Sequence, residues 1–162
     1  MVILDVMIVA SGFVLRVAAG VAVIQVQRFS PWLYVCTGLV ALFMALGKRR
    51  HELVLLGEGA GKHRAILQEY NLPFIDQMIT IVLASTVVSY CMYTFLAEGL
   101  PENHAMMLTI PVMLYGVARY SYLIFVKGEG GAPEDILLKD RPFQLSLVVF
   151  AIMVVFALYV LT

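Results

Sequence analysis

Long apolar segments, separated by short charged or turn-forming stretches, make up most of this chain of 162 residues. These segments show no alternation of apolar and polar positions, so they predict helices rather than the strands of a membrane barrel. A helix needs about 20 mostly apolar residues to cross the hydrocarbon layer of a bilayer. Five segments qualify, over residues 4–26, 31–47, 72–97, 105–126 and 143–161. We therefore expect an all-α membrane protein, built as a bundle of five transmembrane helices.

The composition agrees with lipid as the main solvent. Hydrophobic residues make up 62% of the chain and charged residues 14%, against about a quarter charged in an ordinary soluble domain. The net charge is zero, which argues against a nucleic acid as partner. Cys36 and Cys91 lie inside predicted helices without the spacing of a metal site or a disulfide framework, so we expect both to be apolar packing residues.

Basic residues are concentrated in two of the four connections between the predicted helices. Residues 48–71 contain Lys48, Arg49, Arg50, Lys62 and Arg64, and residues 127–142 contain Lys127, Lys139 and Arg141. Basic loops are retained on the cytoplasmic side of a membrane. The distribution predicts an integral multi-pass protein whose N-terminus lies in the cytoplasm and whose C-terminus lies outside.

The run from Gly47 to Leu53 contains Lys48, Arg49, Arg50, His51 and Glu52 in succession. One interpretation is a solvated helix end, in which Lys48 and Arg49 pair with Glu52 at helical spacing for roughly 0.2–0.5 kcal/mol each. Three cations in succession at the membrane exit, followed by Lys62 and Arg64 after the glycine-rich residues 57–61, favour anion binding instead. The second helix is expected to continue to Leu56, and residues 62–70 are expected to form a short helix.

Two arginines lie within predicted transmembrane helices. A charge at membrane depth costs about 3 kcal/mol, so we expect Arg16 to face the bundle interior or a water-filled cavity. Either carbonyl groups and carboxylates of other helices satisfy it, or it binds substrate, and the residues leave both possibilities open. Arg119 lies eight residues before Lys127, or about 12 Å inside the charged boundary, in a helix that Pro111 is expected to kink.

The last connection combines glycine with acidic residues. Residues 127–135 are expected to be non-helical, and no Gly-Lys-Ser/Thr follows, so a P-loop is excluded. Residues 136–140 are expected to form one turn along the membrane surface. Asp140 and Arg141 are interpreted as polar punctuation before the final helix. His51-Glu52 has no second histidine at the spacing of a zinc protease, and no serine stands in a nucleophile motif.

Several strings of residues along the chain resemble one family. They are Asp5-Val6, Gly12-Phe13-Val14-Leu15-Arg16 with Ala19-Gly20, Ser30-Pro31-Trp32-Leu33, Leu46-Gly47-Lys48-Arg49-Arg50-His51-Glu52-Leu53, Arg119-Tyr120, Gly130-Gly131-Ala132-Pro133-Glu134 and Asp140-Arg141. Together they resemble the UbiA superfamily of intramembrane prenyltransferases, over nearly the whole chain. The branch they are most similar to transfers phosphoribose from phosphoribosyl diphosphate to a polyprenyl phosphate such as decaprenyl phosphate.

The resemblance implies a nine-helix fold, of which this chain would supply the C-terminal five helices. It also implies Mg²⁺ as cofactor, held by an aspartate-rich motif in the family's first cytoplasmic loop, and nothing in this chain matches that motif. Many members carry a second aspartate motif where this chain has Lys48, Arg49 and Glu52. That departure favours the phosphoribosyl branch, because its donor bears an additional phosphate. We expect the chain alone to be inactive.

The resemblance also assigns roles to the charged residues. Lys48, Arg49 and Arg119 would bind the donor phosphates, Arg50, Lys62 and Arg64 would attract or gate the anion, Arg141 would anchor the last loop, and Arg16 is a further candidate for substrate binding. Glu52 would orient a cation or accept a hydroxyl proton. The isoprenoid tail of the polyprenyl phosphate would lie in grooves between the helices. A missing N-terminal half or a second copy of the chain is the expected protein partner.

Two other functions remain open at this point. A prenyltransferase acting on an aromatic acceptor would use a prenyl diphosphate as donor. A non-catalytic membrane subunit or a small transporter would line a passage with Arg16 and Arg119, although the two halves of the chain show no inverted repeat.

Overall fold

Six α-helices make up most of the computed structural model, which describes residues 3–24, 30–56, 71–98, 100–101, 103–128 and 133–159. They are α1 (Leu4–Ile24), α2 (Pro31–Leu56), α3 (Leu72–Leu96), α4 (Ile110–Phe125), α5 (Pro133–Lys139) and α6 (Arg141–Tyr159), and a 3-10 helix (Ala105–Thr109) leads into α4. No strand occurs in these ranges, so the predicted all-α class is confirmed. Some expectations concern residues outside the described ranges. They are those for Lys62 and Arg64, for the helix over 62–70, and for the ends of the first and last spans.

In the described ranges, four helical segments are long and apolar enough to cross a membrane. They are Pro31–Leu55, Leu72–Leu96, Ala105–Phe125 and Arg141–Tyr159. Most of the large apolar side chains on α6 point outward, which suits a lipid-facing surface rather than a water-facing one. A fifth crossing by α1, which is 21 residues long, stays a prediction.

The first helix packs chiefly against α2. Val6 and Ala10 are buried on its inner face. Val14 packs against Gly38 of α2, which has no side chain in the way. These positions recur every four residues, the spacing of one helical face. Arg16 follows Val14 by about 200° around the helix. Among the described residues, Arg16 therefore does not face the interior of the bundle, which was one of its two expected positions: its side chain is exposed, and its guanidinium lies 5.4 Å from the centre of the Phe13 ring.

Local sequence signals fix the start of two helices. Asn71 caps α3 by accepting a hydrogen bond of 2.8 Å from the Phe74 N–H. Pro111 was expected to kink a continuous helix, but it lies at the first turn of α4, after the 3-10 helix. A proline costs little there, because the N–H that it lacks has no helical partner in the first turn.

The last connection is more helical than its composition predicts. Residues 133–135 were expected to be non-helical, yet α5 begins at Pro133. Proline suits the first helical position, and acidic residues in the first turn stabilise a helix because they lie at the positive end of its dipole. Ile136 on α5 is buried in the main core, beside residues from α1, α2, α3 and α4. That core lies at one end of the bundle. A separate, smaller apolar cluster joins Met106 of the 3-10 helix to Ala157 of α6.

Candidate functional site

Arg49 is held between two carboxylates. Its Nε donates to Asp5 Oδ2 on α1 at 3.0 Å, and its Nη1 donates to Glu52 Oε2 on α2 at 2.8 Å. The side chain is only 15% exposed. Bonds between charged partners are about twice as strong as neutral ones, so the two acids fix the orientation of the guanidinium.

Arg50 points away from Arg49, towards α3. Successive residues on a helix differ by about 100°, so neighbouring arginines on α2 reach different helices. Arg50 Nε donates to Asp76 Oδ1 at 2.6 Å, and the arginine is buried. This ion pair ties the end of α2 to the beginning of α3.

Arg119 and Asp140 form a two-point ion pair between α4 and the start of α6. Arg119 donates through Nε to Oδ1 at 3.2 Å and through Nη2 to Oδ2 at 2.8 Å. The same carboxylate caps α6 by accepting from the Phe143 N–H at 2.8 Å. The hydrogen bonds from Arg119 lower the pKa of Asp140, against a smaller opposing effect of burial and with help from the Phe143 N–H. Asp140 is therefore more than the polar punctuation that the sequence suggested.

These ion pairs lie at one end of the bundle, which we call the charged end. It comprises Asp5, Lys48, Arg49, Arg50, Glu52, Asp76, Arg119 and Asp140. Tyr120, next to Arg119, packs edge-on against Phe43 of α2 with ring centres 4.7 Å apart, and it also contacts Phe143 at 6.0 Å. Leu46 and Ile136 belong to the same core cluster as Tyr120. The apolar core thus joins the end of α2 to the corner that holds Asp140.

The structure places the predicted site residues in three groups. Lys48, Arg49, Arg50, Glu52 and Arg119 lie at the same end of the bundle, with Lys48 exposed and Arg119 paired to Asp140 on the side of α6. Arg141 follows Asp140 but is exposed and lines a surface groove on α6. Arg16 lies apart from the cluster on the outer side of α1. Lys62 is outside the described residues.

Sequence reasoning did not assign a role to the acidic partners Asp5, Asp76 and Asp140. A signal for Asp76 exists in the sequence. Arg50 lies six residues before the end of α2, and Asp76 lies four residues after the start of α3. In two successive helices that run in opposite directions, those positions are at nearly equal depth. Opposite charges at matched depth would have predicted the pair.

Charges of the two signs balance within the charged end. Lys48, Arg49, Arg50 and Arg119 give four positive charges, and Asp5, Glu52, Asp76 and Asp140 give four negative charges. In the described contacts, Nη2 of Arg49 and Nη1 of Arg119 are not used for the acids. An anion with several oxygens can therefore approach guanidinium groups that are already oriented.

An apolar cavity of about 260 Å³ lies beside the charged end, between α2, α3, α4 and α6. Tyr120 and Phe143 line it, and its walls also include Phe43, Leu83 and Gly116. A cavity of about 150 Å³ is enough to bind benzene in another protein. The space therefore accommodates a short apolar segment of a ligand.

Magnesium, which the resemblance implies, does not fit the side chains at this site. Among the described residues, no three His, Cys, Asp or Glu side chains converge to hold a metal ion. Asp5, Glu52, Asp76 and Asp140 each face a guanidinium instead. We therefore assign the metal no ligand in the described part of the chain and derive no step through it.

The helices and their apolar surfaces define an integral membrane protein with paired arginines at one end. The chain is similar to decaprenyl-phosphate phosphoribosyltransferases from three bacteria. It is 28% identical to that of Corynebacterium glutamicum over 162 residues, covering 99% of this chain and 48% of the relative. It is 30% identical to that of Mycolicibacterium smegmatis over 150 residues, covering 88% of this chain and 47% of the relative. The Mycobacterium tuberculosis protein is 28% identical over 144 residues, with 88% and 46% covered.

These matches confirm the resemblance to the polyprenyl-phosphate phosphoribosyltransferase branch. The chain spans about half the length of the curated relatives it matches, which agrees with the expectation that it represents only part of the family fold. No protein-family model matches the chain.

Proposed function

We propose that this chain is part of a membrane transferase that moves phosphoribose from phosphoribosyl diphosphate to a polyprenyl phosphate. The observation that carries the proposal is the pair of oriented arginines, Arg49 and Arg119, at the same end of an apolar bundle. The relatives are named as decaprenyl-phosphate phosphoribosyltransferases, which supports the same choice.

The donor phosphates would bind Arg49, Arg119 and Lys48. Guanidinium groups match the geometry of phosphate oxygens, and the terminal nitrogens outside the described acid pairs supply the first contacts. Glu52 would orient Arg49 through the bond of 2.8 Å rather than take a proton. Arg50 would serve as a clamp between α2 and α3, because it is buried against Asp76.

The reaction would be a displacement at a ribose carbon. An oxygen of the lipid phosphate forms the new bond to that carbon while the bond from the carbon to the diphosphate breaks. The diphosphate leaves with the electron pair, and the attacking phosphate is already ionised, so no base is needed. Arginines held in place before the reaction stabilise the negative charge that grows on the departing diphosphate.

The apolar cavity beside Tyr120 would take part of the isoprenoid chain. Its lining is apolar, and it lies next to the arginines, so a lipid phosphate could place its head at the charged end and its tail among the helices. The positive-inside rule would place this end in the cytoplasm, with the C-terminus outside. The remaining part of the family fold, or a second copy of the chain, would pack against this bundle and supply the ligands of Mg²⁺.

A transfer assay tests the proposal. The chain is fused to the part of the Corynebacterium glutamicum relative that it does not cover, and membranes are supplied with labelled phosphoribosyl diphosphate and decaprenyl phosphate. We expect label in the lipid fraction, and an Arg119→Gln fusion of equal abundance serves as control. Label transferred from a prenyl diphosphate to an aromatic acceptor instead would replace the proposal with the rival prenyltransferase. Because a fusion of distant relatives can misfold, direct binding of the donor to the purified chain is the independent test.

A further inference from the structure

The corner between α5 and α6 exposes apolar side chains next to the charged end. Ile136 points into the core, but Leu137 and Leu138 point outward and are 45% and 71% exposed. A pair of exposed leucines is unfavourable in water and favourable against lipid acyl chains.

Two sets of hydrogen bonds fix the depth of this corner. Asp140 pairs with Arg119, which lies six residues, or about 9 Å, before Phe125 at the end of the apolar segment Ala105–Phe125. Gln144 on α6 donates from Nε2 to the carbonyl oxygens of Leu137 and Leu138, at 3.0 and 2.9 Å. The leucines are therefore level with the apolar part of α4 and face the bilayer.

Two basic side chains follow the two leucines in the chain. Lys139 and Arg141 are both exposed, one at the end of α5 and the other at the beginning of α6. Their long stems can cover apolar surface while the charged heads reach the level of the lipid phosphates. Below Arg141, a groove continues along Leu145 and Val148, two exposed residues on the same face of α6.

We propose that this corner binds an anionic phospholipid of the surrounding bilayer. The lipid phosphate lies between Lys139 and Arg141, and one acyl chain follows Leu145 and Val148. The charge of the headgroup complements the two cations, and the groove below them matches a lipid chain in both position and polarity. Arg141 then contacts bilayer lipid rather than the donor. This site is independent of the proposed transferase function, because it uses none of the residues assigned to the donor.

Titration of lipids into the detergent-purified chain, followed by native mass spectrometry, tests the proposal. We expect phosphatidylglycerol to bind more tightly than phosphatidylcholine with the same acyl chains. Each of the variants Lys139→Gln and Arg141→Gln should weaken phosphatidylglycerol binding about fivefold, the effect of one basic residue at an anionic surface. Val148→Ser should weaken both lipids alike, because it changes only the groove.

Arg16→Gln is the matched control, since Arg16 is an exposed cation on α1 that lies apart from both this corner and the charged end. It should leave lipid binding unchanged, and the melting temperatures of the exposed-site variants should equal that of the wild type. Equal binding of both lipids, or unchanged binding by Arg141→Gln, would overturn the proposal. Displacement of the phospholipid by inorganic phosphate would show an unselective anion site. Displacement by a much smaller amount of polyprenyl phosphate would assign the groove to the acceptor instead.

Discussion

At the scale of single residues, the arginines of the charged end depend on distant partners. Arg49 binds Asp5 across 44 positions of the chain, Arg50 binds Asp76 across 26, and Arg119 binds Asp140 across 21. Helical spacing predicts only neighbours on one helix, so it identified the Arg49–Glu52 pair, and matched depth on two successive helices would have identified Arg50–Asp76. The cations could be predicted from the sequence, whereas the pairing of Arg49 with Asp5 and of Arg119 with Asp140 required the packing of the helices.

Variants of the Arg119–Asp140 pair distinguish an effect on donor binding from an effect on stability. Arg119→Gln should weaken binding of phosphoribosyl diphosphate at least about tenfold, because it removes hydrogen bonds to a charged ligand. It should also lower the melting temperature, since Asp140 loses its cation. Adding Asp140→Asn should restore the melting temperature, because asparagine still caps α6. Calorimetric titration and thermal melting of both variants check this. Recovery of donor binding in the double variant would contradict a direct role for Arg119.

The lowered pKa of Asp140 predicts an acid-sensitive contribution to stability. A carboxyl group whose pKa is lower in the folded than in the unfolded protein stabilises the fold above its unfolded value of about 3.9. This stabilisation is lost as the pH falls through the folded pKa. Melting temperatures of the wild type and Asp140→Asn should therefore begin to approach each other as the pH falls below about 4, and should become equal below the folded pKa of Asp140. A difference between them that stays constant from neutral to acidic pH would show that the charge of Asp140 contributes nothing.

Lys48 and Arg50 are nearly adjacent, but their substitution should have opposite effects. Lys48→Ala should weaken donor binding while changing the free energy of unfolding by less than about 0.5 kcal/mol, as is usual for an exposed position. Arg50→Gln should destabilise the protein by about 1–3 kcal/mol, because it leaves the Asp76 carboxylate without its cation. Chemical unfolding and donor titration of each variant measure the two effects. A stability loss in Lys48→Ala with unchanged donor affinity would reverse the assignment.

At the scale of helices, apolar length and turn signals predicted most of the architecture, and local exceptions were missed for identifiable reasons. Pro111 was expected within a helix, but the chain places a 3-10 helix before it, so that the proline falls at a helix start. The acidic residues before Ile136 suggested a loop, although the same residues suit the first turn of α5. Arg16 was expected to face the interior or a water-filled cavity because charge is costly in lipid, but among the described residues α1 packs chiefly against α2 and leaves Arg16 exposed.

The crossing of α4 and α6 provides a test of the apolar cavity. A Cβ atom added to Gly116 would lie 3.6 Å from Ser146 Oγ, so Gly116→Ala preserves the crossing. Gly116→Leu would extend into the cavity of about 260 Å³. We expect the leucine variant to weaken binding of a polyprenyl phosphate about tenfold and to leave donor binding unchanged, at a cost in stability of about 1–3 kcal/mol from overpacking. The alanine variant, measured in parallel by titration, should bind both ligands as the wild type does. Unchanged lipid binding by Gly116→Leu would exclude the cavity as the tail site.

At the scale of the whole molecule, the chain is a helical bundle that concentrates its charge at one end and its lipid-facing surface elsewhere. The fold class and the position of the cationic cluster followed from the sequence, because charge in a membrane protein is restricted to few places. The balance of four acids against four bases did not. The acids orient the arginines, while Lys127 adds further positive charge near Asp140.

The most direct test of the proposed function is calorimetric titration of the purified chain with phosphoribosyl diphosphate and with farnesyl diphosphate. We predict that phosphoribosyl diphosphate binds more tightly, and that Arg49→Gln and Arg119→Gln each weaken it at least about tenfold. Arg16→Gln is the control that should bind the donor as the wild type does, because Arg16 lies apart from the charged end. Tighter binding of farnesyl diphosphate, or donor affinity that is the same in Arg49→Gln and Arg119→Gln as in the wild type, would contradict the account.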